Sequence, residues 1–460
     1  RLTHQMFSEI IPLQSFEVPS GTQAFDWKIP KEWVFNDAYI ADTSGKRIID
    51  ARKHGLHLLN YSTKFNGRVS LAELQNHLYS LEHQPKSIPY NTSYYNEKWG
   101  FCLSHADRMK LKDEFYDIVI DTDLKSDGSL TMSEAVLPGQ SEKEIFFSVY
   151  TCHPYMCNDS LSGGIVATFL YEKLSKIPKE KRKYTYRFAF IPETIGSIAY
   201  LKLRGEELKT KMVAGYVLTC MGDAGYFTYK RSRRKTSVAD VEMVKHMQEF
   251  VGPTDPYGSL PGIVFDYWPS GSDERQYCSP AFNLPVGCVT RTCYNQFKEY
   301  HTSNDDLTLV RPEYLAESIH FMYELCMKLE RLNLDVATVP RKPKIFPPMP
   351  IVNSPISGSS RFVTMLPFGE PQLGPRGMYY SVGSGYRNAS HRIDAIMWLA
   401  GYSTGAHSLK EISDLSMNHY YATECKYSTT EVYKFSYATV DQLILVAKEM
   451  LNANMIRRLC

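Results

Sequence analysis

A chain of 460 residues with 43% hydrophobic content is long enough for two or three domains, each with its own core. Its 52 basic and 50 acidic residues leave a net charge of +2, which gives no electrostatic ground for nucleic acid or an anionic membrane as the main partner. The 32 tyrosines and 22 phenylalanines argue against extended disorder.

Ten cysteines are scattered along the chain with no paired CxxC spacing, so they read as reduced thiols rather than a disulfide framework or a zinc ribbon. No secretory leader and no 18-residue uncharged apolar run is present, and a cytoplasmic protein is expected. The first residue is not Met, which leaves room for a removed leader upstream.

In chain order, Leu2 to Leu13 is weakly amphipathic, and SGTQAFDWKIPKEW reads as turn and strand. From Val34 the pattern alternates: VFNDAYIADTSGKRIID holds two runs joined by Thr43-Ser44-Gly45-Lys46, a hairpin signal. DEFYDIVIDTDL followed by SDGSLTMSEAVL predicts a second hairpin. Residues 34–137 are therefore expected to form a small, mainly β insertion, and 1–33 with 138–337 the larger unit.

That larger unit alternates strand and helix, as a sheet sandwiched by helices does. Ile145–Tyr150 is an apolar, β-branched run typical of a buried parallel strand, and Gly163 to Leu174 repeats apolar residues at helical spacing. TYRFAFIP, AGYVLTCMG and NLPVGCVTR predict three further strands, and Leu315, Ile319, Met322, Leu325 and Leu329 mark the inner face of a closing helix. Pro340 to Pro350 reads as an extended linker. Beyond it, residues 351–460 hold three predicted helices, RIDAIMWLAGY, SLKEISDLS with Ser408 as N-cap, and TVDQLILVAKEMLNANMIRRL, in a winged-helix-like order. The last helix mixes acidic and apolar residues instead of being basic, so packing and a homo-oligomer contact are expected of the tail rather than nucleic-acid binding.

Chemistry converges at the carboxyl ends of the predicted strands, where open α/β sheets bind their ligands. His153 and Asp159 follow the first strand, Glu193 ends the second, Thr219, Cys220 and Asp223 end the third, and Glu299, His301 and Asp305 follow the fourth. Two imidazoles and an aspartate suit Zn²⁺, and a carboxylate on a neighbouring strand end suits a general base. Each residue also has a plainer use. A lone histidine is more often a structural hydrogen-bonder, and Glu193 after Pro192 can simply cap the next helix.

The loop CHPYMCNDSLSGG resembles a shortened form of the zinc aminopeptidase pattern, in which His, an Asn-Asp pair and Ser-Gly follow the first metal-binding strand. RFAFIPETIGSIAYL is similar to that family's strand, glutamate and glycine motif, and EYHTSNDDL to its closing His-Thr…Asp motif. The whole chain, with its insertion, KWGFCLSH, GSDERQY and the tail, resembles a bacterial aminopeptidase-like family often associated with polysaccharide or secondary-metabolite gene clusters. The resemblance implies a mixed sheet flanked by helices, with His153, Asp159 and His301 as metal ligands, Asp159 at a bridging position, and Glu193 as base.

Two departures stand out. Thr194 occupies the place of a second glutamate ligand, and Thr219 and Cys220 stand where a carboxylate is expected after the third strand. One zinc per chain, with Glu193 either a fourth ligand or the base, is therefore expected over two. Arg275, Asp273 and Asp223 are candidates for contact with a small peptide or amide substrate, the first two equally readable as a structural ion pair. The rival readings are a non-catalytic binding or scaffold protein on this fold, and a hydrolase using Cys152 or Cys157 as nucleophile beside His153.

Overall fold

The computed structural model describes residues 1–94, 97–250, 262–336, 355–378, 386–418 and 437–459, apart from the side chains of 386–391 and 418. The proline run at 340–350 lies outside the described residues. An eight-stranded mixed sheet organises the chain, its strands numbered here in chain order: β1 (Gln14–Pro19), β2 (Ser129–Leu137), β3 (Glu144–Tyr150), β4 (Thr185–Ile191), β5 (Met212–Leu218), β6 (Thr228–Lys230), β7 (Ile263–Phe265) and β8 (Val286–Thr290). They lie in the order β1-β2-β4-β3-β5-β8-β6-β7. Strands β4, β3, β5 and β8 are parallel neighbours, whereas β1 and β2 run antiparallel to theirs, and β6 is antiparallel to β8 but parallel to β7.

Every residue of β3, β4 and β5 is buried, which explains their unbroken apolar runs: both faces of the sheet are covered. Alternate residues of β3 feed two cores. Ile145, Phe147 and Val149 pack on one side beneath the helices Gly163–Ser175 and Pro312–Glu330, and Phe146 packs on the other beneath Ile195–Lys211. Phe146 and Phe147 are both fully buried, and each contributes at most roughly 1.5 to 3 kcal/mol of transfer free energy. Gly163 starts its helix hard against β5, because a Cβ there would sit 2.2 Å from the Leu218 carbonyl oxygen.

The small sheet is built from Arg47–Asp50, Glu32–Ala41, Phe115–Lys125 and Phe65–Ser70, in that order, around Ala38, Ile40, Ile118 and Ile120. Its first hairpin turns as expected, with Gly45 at φ 83° and Asp42 Oδ1 accepting from the Ser44 and Lys46 N–H groups. The second differs from expectation. Its first arm, Phe115–Lys125, joins the small sheet, but its second is β2, which pairs with β1 and β4 in the large one.

The C-terminal unit carries helices Tyr386–Tyr402, Leu409–Asn418 and Val440–Asn452 with a three-stranded sheet of Arg361–Thr364, Thr404–Ser408 and Ile456–Leu459. Ser408 caps as expected: its Oγ accepts from Glu411 N–H while Glu411 Oε2 accepts from Ser408 N–H. The last predicted helix stops early, with Asn454 at φ 53°, and its end becomes the strand Ile456–Leu459. The unit does not stand apart from the large sheet. Phe362, Leu373, Ile396, Trp398 and Tyr402 share one core with Trp268, Tyr277 and Phe282. Among the described residues no helix is long and apolar enough to cross a membrane.

Candidate active site

The site forms at the carboxyl end of β3, where the chain's crossovers leave for opposite sides of the sheet. His153 follows β3, Asp159 sits in an irregular helical turn at Cys157–Ser162 with φ −106° and ψ 79°, and His301 lies in the loop after β8 at φ 53°. Their ligand atoms all fall within 4.8 Å of one another, and His301 Nε2 is 3.0 Å from Asp159 Oδ2.

Several groups fix these three side chains. Asp305 accepts from the backbone N–H groups of Asn158 and Asp159 at 2.5 and 2.9 Å, anchoring the ligand loop to the segment that carries His301. The Tyr150 phenol donates to Asp159 Oδ1. Tyr300 stacks on the His301 ring, with centroids 3.9 Å apart, and the backbone N–H of Tyr90 donates to the His301 carbonyl at 2.8 Å. The Tyr90 ring itself lies 5.3 Å from His153 and 5.1 Å from His301, so the insertion supplies one wall of the site.

Glu193 approaches from β4, with Oε2 3.7 Å from His153 Nε2. Immediately after it the chain makes a tight γ-turn. The Glu193 carbonyl accepts from Ile195 N–H at 2.8 Å across Thr194, whose φ of 63° and ψ of −77° are costly for a β-branched residue, about 1 to 3 kcal/mol. Asp273 Oδ1 holds the Thr194 N–H at 2.7 Å and the Ser197 hydroxyl at 2.7 Å, and Arg275 donates to Thr194 Oγ1 at 2.7 Å.

Electrostatics follow from burial. Loss of solvent pushes the His153 imidazole down to about 4, so it is neutral at pH 7, as a metal ligand must be. Burial drives the Asp159 carboxyl upward, but attraction to the two histidines and hydrogen bonds from His301 and Tyr150 outweigh it and bring the group to about 2. Burial raises Glu193 well above the ordinary carboxyl range, with Asp273 and Asp159 adding to the shift and Arg275 opposing it. The thiols move the wrong way for nucleophiles: burial lifts Cys152 well above its usual value and Cys157 to about 11.

Of the remaining sequence candidates, Asp223 is corrected. It is 3% exposed, and its oxygens are occupied by Asn158 Nδ2, the Thr292 hydroxyl and Gly225 N–H, so it braces the loop instead of meeting a substrate. Asp273 and Arg275 each hold the turn behind Glu193, and the carboxylate paired with Arg275 is Glu370 rather than Asp273. Arg275 and Glu370 are 2.6 Å apart, so a residue of the C-terminal unit reaches the group that holds the turn behind Glu193. Tyr150, Tyr90 and Glu370 carried no signal in the sequence. Two imidazoles, that of His153 neutral, and an ionised carboxylate, converging on one point, fit a zinc ion.

The fold is similar to that of zinc aminopeptidases. The zinc aminopeptidase BSAP from Bacillus subtilis superposes with a TM-score of 0.50 at 11% identity, covering 71% of this chain and 87% of that one. A peptidase M28 precursor from Shewanella amazonensis gives 0.50 at 12% identity, covering 74% and 89%. Within that fold the chain belongs to the family described as domain of unknown function DUF4910, whose family model matches residues 1–332. A winged helix-turn-helix model matches residues 360–427. The chain is 38% identical over 415 residues to a Clostridium acetobutylicum protein named as a candidate polysaccharide biosynthesis protein with aminopeptidase-like domain, covering 90% of this chain and 86% of that one. A crystal structure described as a candidate peptidase from the same organism superposes with a TM-score of 0.66 at 34% identity, covering 99% and 90%.

Proposed function

We propose that this protein is a zinc-dependent hydrolase of amide bonds in small substrates, with His153, Asp159 and His301 as the ligands and Glu193 as general base. The observation that carries this reading is the convergence of the three ligand atoms within 4.8 Å, beside a partly buried carboxyl 3.7 Å from His153. Zinc, when bound, supplies Lewis acidity toward a carbonyl. The protein's own residues do the rest. Glu193, raised above the ordinary carboxyl range by burial, is suited to take a proton from the attacking water and deliver it to the leaving amine. Asp273 and Arg275 hold the turn that aims it, and Tyr90 covers the imidazoles against bulk water.

The test is elemental analysis of the purified protein, followed by turnover of a panel of aminoacyl amides, dipeptides and N-acylated amino sugars. The last class is included because the Clostridium relative's name refers to polysaccharide biosynthesis. Glu193→Gln is expected to keep its zinc and lose turnover by a factor on the order of 10² to 10⁴. Undiminished turnover in that variant would remove Glu193 from the mechanism. Undiminished zinc in His301→Ala would remove the ligand set.

A further inference from the structure

Asp159 has two carboxylate oxygens, and the structure uses them differently. Oδ2 faces His301 Nε2 at 3.0 Å, inside the ligand cluster. Oδ1 points away from it and accepts a hydrogen bond from the Tyr150 phenol. The same phenol oxygen lies 2.6 Å from Thr219 Oγ1, and that hydroxyl lies 3.6 Å from Cys220 Sγ. Tyr150 is 3% exposed, and Thr219 and Cys220 are fully buried.

Proton counting fixes the sense of this row. A phenol has one O–H, and a carboxylate has only acceptors, so the Tyr150 proton lies toward Asp159. Tyr150 can then only accept from Thr219, whose hydroxyl must donate, and the thiol of Cys220 is left as a weak donor to Thr219. Every group beyond Oδ1 therefore turns a proton toward the carboxylate. A cation at that oxygen would have to displace the phenol proton. Behind it would stand a hydroxyl and a thiol rather than the three protein ligands that a zinc site uses.

We infer that Tyr150 positions the ligand of a one-zinc centre: by occupying Oδ1 it orients the other oxygen of Asp159 toward His153 and His301, while Thr219 and Cys220 behind it supply no ligand set for a second ion. The inference rests on the zinc reading given above. Tyr150 is a positioning residue, since it acts on the ion through Asp159. It is the last residue of β3, and strand pairing fixes its backbone to Ile191 on β4. A side chain set this firmly gives Asp159 one geometry, and outer hydrogen bonds of this kind are worth on the order of 10- to 100-fold in metal affinity.

Zinc titration against a chromophoric chelator, with elemental analysis after desalting, tests the assignment without reference to turnover. The full-length protein should saturate at one ion per chain. Tyr150→Phe, which removes only the hydroxyl, should still take one ion but bind it about 10- to 100-fold more weakly. Thr219→Val cuts the row one link farther out and should weaken binding by less than Tyr150→Phe does. Two ions per wild-type chain, or a Tyr150→Phe protein that binds zinc as tightly as the wild type, would overturn the role of Tyr150 and leave the ligand assignment standing. A wild-type protein that takes up no zinc would remove the ligand assignment itself, and the role of Tyr150 with it.

Discussion

Glu193 reaches the site because Thr194 bends the chain at φ 63°, and Thr194 holds that conformation because Asp273 and Arg275 grip its N–H and hydroxyl. The environment that places the carboxyl also sets its titration, and this has a measurable sign. A base whose pKa is raised loses its acceptor form as pH falls through that raised value, so the rate must fall with it. The acid limb of the pH–rate profile is expected to lie above the ordinary carboxyl value and to vanish in Glu193→Gln. A limb at the ordinary carboxyl value would show that burial does not govern this group. The three candidate ligands were legible in the sequence because histidine and aspartate soon after strands are chemically conspicuous. Asp223, Asp273 and Arg275 are just as conspicuous, yet they serve the backbone, and residue type alone does not separate the two uses. Tyr150 and Tyr90 were hidden for the opposite reason: among 32 tyrosines, nothing marks the two that touch the site.

At the scale of elements, the site depends on how closely the helix Gly163–Ser175 docks on β5. The irregular turn bearing Asp159 leads directly into this helix, so any shift of its first turn moves a ligand. Gly163→Ala places a Cβ 2.2 Å from the Leu218 carbonyl oxygen, against backbone that cannot rotate away. The variant is expected to lose about 1 to 3 kcal/mol in urea denaturation and to bind zinc more weakly. Unchanged stability together with unchanged affinity would show that the helix adjusts independently of the ligand loop. The buried strands were readable because full burial leaves an unbroken apolar run. The partners of β2 were not, since alternation and a turn locate two arms without saying which sheet each arm joins. The short strands β6 and β7, at three residues each, give too little pattern to detect.

Over the whole molecule, the C-terminal unit is packed into the half that carries the large sheet. Trp27 Nε1 donates to the Glu370 carbonyl, Arg376 pairs with Asp26 at 2.7 Å, and Glu370 is the carboxylate partner of Arg275. Glu370→Gln leaves the Arg275 charge poorly matched and is expected to cost roughly 3 kcal/mol in thermal or urea unfolding. Removing everything after Pro340 uncovers the core face around Trp268, Tyr277 and Phe282, and the truncated chain should aggregate on size-exclusion chromatography. A soluble, monodisperse truncation would show that the shared core is dispensable.

The insertion is attached quite differently. Glu32 and Lys125 face each other in register, so the small sheet leaves and rejoins the large unit at a single point and takes its own core with it. Replacing residues 33–124 by a short turn should therefore give a chain that still unfolds in one cooperative transition by circular dichroism, and a loss of cooperativity would refute this. Such a chain lacks the Tyr90 ring against the two imidazoles and the Tyr90 N–H on the His301 carbonyl. The insertion is thus a brace as well as a cover: its Tyr90 N–H and Ile88 carbonyl hold the loop that carries His301, so exchanging it would disturb that loop as well as uncover the two imidazoles.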